Sequence, residues 1–270
     1  TSDGVSQSQE TGRFVMSFLA RYIRQAGLDS LTNNAINTPA FIDCTNFPAL
    51  VAVQGCIIES NTNNTATVAD TELTINDAGM HGDRLAISWV PPVPLDAAGE
   101  PDPTLFATNV RDCTGRNGYA NGDTILNVFW VQPDANNPVP LPNPPDPNNP
   151  AINNLVCQAF KFNGGVASDA SGVTAIANGV EAMHVLYGEA TAPLPVSNER
   201  NVNRYVTATD VADWSRVYAV RIAVLTRSLI ATTNITMTRN FVLLDSQPYV
   251  MTDAVSRQVF SSTFAINNYL

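Results

Sequence analysis

Apolar positions recur at helical spacing near the start of the chain and at strand spacing through most of the rest. Val15, Phe18, Leu19, Tyr22, Ile23 and Ala26 form one stripe of an amphipathic helix. Arg13, Ser17, Arg21 and Arg24 occupy the opposite side. Gly27 is placed to end the helix in a left-handed turn. A helix from Val5 to Ala26 would be roughly 33 Å long. Its apolar stripe needs a partner, and an antiparallel sheet with one apolar face supplies one. Val220, Ile222 and Val224 are the candidates for that face.

The remainder reads as strands and loops. Arg84 to Val90 alternates Leu85, Ile87 and Trp89 after the turn residues "HGD". Thr124 to Gln132 follows "NGD", and Leu155 to Phe162 makes a third strand. Val180 to Gly188 reads as a fourth, with a short helix as the alternative. "NRYVTA" adds a short strand before a stretch where Asp210 is a candidate cap for a helical turn. Val217 to Ser228 has the clearest alternation, and "NFVLLD" and "RQVFSSTFAIN" close the chain. One helix followed by many strands predicts α+β, not alternating βαβ units. The segment from Gln132 to Asn154 is dense in Pro and Asn, and proline neither donates along a ladder nor continues a helix. Lying between two well-formed strands, it reads as a loop insertion in one body and not as a domain linker. "PPVPLDAAGEPDP" (Pro91 to Pro103) reads as a second large loop.

Composition narrows the function. The chain has 270 residues, net charge −10, with 14 Lys and Arg against 24 Asp and Glu. Nucleic-acid binding needs concentrated basic charge, which is absent. No stretch approaches the ~18–20 apolar residues of a membrane span. Cys44, Cys56, Cys113 and Cys157 form no CxxC pair, and neither His81 nor His184 stands at metal-ligand spacing from a cysteine. Scattered, even-numbered cysteines in a chain with very few lysines read as two disulfides in an oxidising compartment. Three pairings are possible. Sequence proximity favours Cys44–Cys56 and Cys113–Cys157. No catalytic, metal or cofactor motif is present. His81 reads as an exposed loop residue and His184 as a packed or surface one, neither as a catalytic base. Asn63–Thr65 and Asn234–Thr236 match the glycosylation triplet, a pattern common by chance.

The stretch "QETGRFVMSFLARYIRQAGL" resembles the segment just past the membrane part of the first helix in PilW-like minor pilins of type IV pili. Four further stretches match in order. They are "HGDRLAISWV", "NGVEAMHVLYG" (Asn178 to Gly188), "RYVTATDVADWSRVYAVRIAVLTRS" (Arg204 to Ser228) and "RQVFSSTFAINN" (Arg257 to Asn268). The proline-rich insertion and the loop after Gly188 depart from the family pattern.

The resemblance implies a type IV pilin-like fold: one ectodomain over residues 1–270, with the second half of the first helix over 1–27 and a β-rich body over 28–270 carrying the 132–154 insertion. It implies that the hydrophobic half of the helix, which anchors a pilin in the inner membrane, precedes Thr1 in the native gene. It implies a non-enzymatic subunit without a cofactor, periplasmic before assembly and extracellular at the pilus tip afterwards. The implied partners are other minor pilins, the major pilin and a tip adhesin. The helix face bearing Arg13, Arg21 and Arg24 is then a candidate subunit contact, since arginine is favoured at interfaces. Two other readings remain at this stage. One is a J-like minor pseudopilin of a type II secretion system. The other is a secreted β-rich adhesive or carbohydrate-binding domain, although no aromatic residue lies between Pro133 and Asn154 to serve it.

Overall fold

A computed structural model describes residues 2–28, 82–134, 152–163, 166–190, 201–246 and 248–266. Helix α1 spans Ser2–Ile23. It begins three residues before the predicted start. Its end tightens into a turn in which Gln25 and Ala26 donate to Tyr22 and Ile23 three residues back. Gly27 follows with φ 70°, the left-handed conformation expected of it.

Two antiparallel sheets and a separate hairpin make up the rest. The first sheet holds β1 (Leu85–Trp89), β2 (Thr124–Pro133), β3 (Asn153–Asn163) and β4 (Val166–Ala170) in that order, with β5 (Thr174–Asn178) also pairing β3. The second holds β11 (Arg257–Ala265), β8 (Val217–Arg227), β6 (Val180–Glu189) and β7 (Arg204–Val206), in the order β11-β8-β6-β7. β9 (Met237–Phe241) and β10 (Tyr249–Asp253) pair only with each other. A short helix, α2, covers Phe106–Asn109 between β1 and β2. β2 and β3 are antiparallel neighbours from Thr124↔Phe162 to Pro133↔Asn153. The Pro/Asn-rich insertion is therefore the connection of a long hairpin; its residues 135–151 lie outside the described ones, as do His81, Cys44, Cys56 and the Asn63–Thr65 triplet.

One core joins α1 to both sheets. Val15, Leu19, Tyr22, Ile23 and Ala26 are buried, and Phe18 is half-buried against them. They share a cluster with Leu85, Ile87, Phe129, Val131 and Leu155 of the first sheet and with Val220, Ile222 and Val224 of the second. α1 rests mainly on β8 and β11. Gly12 permits that approach, since a Cβ there would overlap the Phe260 ring. The opposite face of the second sheet is covered by the hairpin, through Ala182, Ala223 and Leu225 against Leu243, Tyr249 and Met251. The first sheet is apolar on both faces, because Leu126, Val128, Trp130, Val156 and Phe160 are buried on the side away from α1.

Several local expectations need correction. Asp210 does not cap a helical turn. It ends the 3-10 turn Ala208–Asp210, and its carboxylate accepts from the Thr207 hydroxyl. The capping residue is Asp213, which accepts from the Ser215 amide at the head of the turn Trp214–Arg216. The strand read from "NFVLLD" lies earlier and ends at Phe241, because Leu244 takes φ 52° and turns the chain.

Replacing Leu19 by Arg places an unpaired cation in the shared core, where burial of charge is strongly disfavoured. We expect Leu19→Arg to destabilise the protein by about 3 kcal/mol or more, read from urea unfolding. A midpoint equal to the parent's would refute the assignment of this face to the core.

Candidate subunit-contact face and its buried supports

The outward side of α1 presents Arg13, Ser17, Arg21 and Arg24, all exposed. Phe14 is 50% exposed beside them. From Phe14 an aromatic series runs inward: Phe14 to Phe18 (5.8 Å between ring centroids), Phe18 to Tyr22 (5.1 Å) and Tyr22 to Phe129 (5.5 Å). Arg21 lies over the Tyr22 ring at 5.8 Å. Burial raises the Tyr22 phenol above its ordinary pKa, so the ring stays neutral beneath that cation. The helix is tied at its start, where the Thr226 hydroxyl donates to the Ser8 carbonyl (3.0 Å). At its end Gly27 donates to the Ser88 carbonyl (2.9 Å) of β1. An open groove of about 430 Å³ runs between Gln7, Glu10 and Phe14 of α1 and Ala175–Asn178 of β5.

Beneath this face lies the disulfide. Cys113 and Cys157 are joined, with Cα atoms 6.3 Å apart, the pairing that sequence proximity favours. The loop carrying Cys113 is organised by buried Asp112. One carboxylate oxygen accepts from the Thr114 amide, the Thr114 hydroxyl and the Arg116 amide; the other accepts from Arg116 Nε and the Tyr119 hydroxyl. Burial, then the hydrogen bond to Asp112, raises the Tyr119 pKa and keeps that hydroxyl a donor. The Cys113 amide donates to Asn127 Oδ1 on β2 (3.0 Å).

Strand β6 holds three buried ionisable groups, of which sequence reasoning missed Glu181 and Glu189. Glu181 receives Arg257 through Nε (2.5 Å) and Nη2 (3.1 Å), with Arg227 Nη1 at 3.7 Å. Arg257 also bonds Asp253 at 2.7 Å. Burial alone lowers an arginine, as it does Arg227, but the two carboxylates beside Arg257 more than offset it and raise its pKa. Of the two readings the sequence left for His184, packed or surface, the first holds: it is buried, with Nε2 2.5 Å from the Tyr249 hydroxyl and Nδ1 3.9 Å from Asp83. Burial lowers its pKa to about 4. Glu189, also buried, receives Arg204 and the Asp213 amide (2.7 Å). The available signal was a charged or ionisable residue inside an apolar strand, since such groups are buried only when paired.

Gly82 and Asp83 meet β6 directly. The Asp83 amide donates to the Met183 carbonyl, and the Asp83 carboxylate accepts from the Val185 amide, both at 2.7 Å. Gly82, at φ +88°, presses on the Met183 carbonyl where a Cβ would collide with it. Two stretches about a hundred residues apart in sequence are thus one contact, and they join the two sheets.

These parts define a class of protein: a disulfide-stitched β body that supports a helix and leaves one side of that helix presented. The family model described as Type IV Pilus-assembly protein W matches residues 128–268, just over half the chain, and the chain belongs to that family. Neither a curated protein nor a solved structure matches the chain. The match runs from within β2 past the end of β11, so it contains all of β6 and its Arg204, Arg227, Tyr249 and Arg257 partners. Membership places the protein in type IV pilus assembly. No described helix is long and apolar enough to cross a membrane.

Two outcomes test these supports. Glu181→Gln leaves two buried guanidinium groups with less countercharge and should cost about 3–5 kcal/mol, measured by chemical denaturation. His184 titrates at about 4 when folded and near 6.5 when unfolded, so the unfolded chain binds the extra proton between those values. Its contribution to stability therefore falls as pH drops from about 6.5 to about 4. His184→Gln should flatten the unfolding free energy over that window, and an unchanged slope would contradict the burial of a neutral imidazole.

Proposed function

We propose that the protein is a minor pilin: a pilin-like single ectodomain that helps prime type IV pilus assembly within a complex at or near the pilus tip. The observation that carries this reading is α1, with one stripe sealed into the common core and the other exposed. In this reading Arg13, Arg21 and Arg24, with the half-exposed Phe14, form the contact face. A guanidinium held over an aromatic surface suits a protein interface better than a solvated charge does. The partners are other minor pilins, the major pilin and a tip adhesin. The body lies on the periplasmic side of the inner membrane before assembly, held there by a hydrophobic helix half, and on the cell exterior afterwards. The role is structural, with no chemistry performed. Family membership in pilus assembly favours this reading over a pseudopilin of a secretion system.

The test is a charge reversal on the presented face. Arg13→Glu with Arg21→Glu should leave the thermal midpoint within about 2 °C of the parent, because exposed substitutions change stability little. In cells lacking the native gene the doubly substituted protein should restore far fewer surface pili than the parent does. Full piliation by a stable variant would remove this face from the mechanism. Loss of type II secretion instead of pili would move the protein to the other machine.

A further inference from the structure

Marginal strands in this fold are mostly short: β1 and β5 have five residues each and β7 has three. β11 has nine. It pairs with β8 along its whole length without a bulge, and no described strand lies on its other side. Proteins protect long edges with proline, lysine, bulges or inward charges. From Gln258 to Ala265 there is no proline and no charge. Ile266 donates to Tyr218, so by the antiparallel alternation the even positions bond β8. Val259, Ser261, Thr263 and Ala265 turn their amides and carbonyls outward, and all four residues are exposed. Phe260 and Phe264 lie on the helix side, packed against the core but only half-buried.

We propose that this edge pairs with the same edge of a second copy of the chain, antiparallel, about a two-fold axis through Ser262. The strand is self-complementary in that register. With Ser262 opposite itself, Phe260 stands opposite Phe264 twice on the helix side. Ser261 stands opposite Thr263, and Val259 opposite Ala265, on the other. Each outward amide from Val259 to Ala265 meets an outward carbonyl, and aromatic cross-strand pairs are among the favourable ones. The axis is normal to the sheet, so the two α1 helices run in opposite directions. The contact is therefore separate from any arrangement that sets the helices parallel.

Sedimentation of the 270-residue chain over a range reaching about 0.5 mM should show a monomer–dimer equilibrium. Ser261→Pro removes an outward amide and no bond to β8, and should weaken the dimer about tenfold or more, the equivalent of one to two lost hydrogen bonds. Ser262→Cys places two thiols at a non-hydrogen-bonded pair, where Cα atoms are about 4.5 Å apart, within disulfide reach. Under mild oxidation it should give a covalent dimer well above the level of the parent and of Ser261→Cys. A chain that stays monomeric and a Ser262→Cys variant that links no better than Ser261→Cys would overturn the proposal. So would a dimer unaffected by Ser261→Pro.

Discussion

Burying an ionisable group without a partner is among the most expensive things a fold can do. β6 buries three: Glu181, His184 and Glu189. Each is met by a different part of the chain. Glu181 fixes the ends of β8 and β11 through Arg227 and Arg257, and through Arg257 it fixes Asp253 at the end of β10. His184 holds the β9–β10 hairpin through Tyr249. Glu189 holds β7 through Arg204 and the turn before β8 through the Asp213 amide. The hairpin makes no strand pairing with the second sheet, so these side chains and the apolar contacts around Tyr249 and Met251 are what seat it. A shifted register in β6 would leave all three groups with the wrong neighbours.

The first sheet is joined to this arrangement by other means. Gly82 and Asp83 grip the backbone of β6 at Met183 and Val185. At the other end, Gly179 donates to Asn153 of β3 while its carbonyl accepts from Arg227. The shared core then needs a lid over the junction, and α1 is that lid: it begins over β8 and β11 and ends with Phe18 and Tyr22 against Phe129 of β2. The side of the helix left for other molecules is set by the packing of the side that is not. Family membership reaches this architecture through residues 128–268, while Asp83, Gly82 and α1 lie before that stretch and complete it.

Much of this was legible in the residues. The helix and β11 carry a period that survives folding, because one face of each is covered and the other exposed, whereas β1, β2, β3, β6 and β8 are buried on both faces and were legible as apolar runs bounded by turns. β4 and β5 were not legible. "VASDA" and "TAIAN" are short, Ser168, Asp169 and Ala170 are exposed and β5 is half-exposed, and both are strands because β3 offers them an edge, with bulges at Lys161/Phe162 and Leu155/Val156. β10 depends on long-range contacts in the same way. The presented arginines were visible as the polar side of a periodic segment, whereas the polar supports were not, since Glu181 and Arg257 lie 76 residues apart and no local rule connects them. Proximity of cysteines pointed to Cys113–Cys157 only because the long hairpin returns the chain to the same place.

That hairpin also separates what the protein must keep from what it is free to change. β2 and β3 are locked in register up to Pro133↔Asn153, and Asp134 donates to Ile152 beyond the last pair. The two ends of the Pro/Asn-rich connection are therefore held side by side by the ladder, independently of the residues between them. Closing a longer connection across fixed ends adds only about 0.6 kcal/mol for each doubling of length. A change of length there therefore carries little closure cost, so the ladder lets the segment grow or shrink while the body that carries α1 keeps its register.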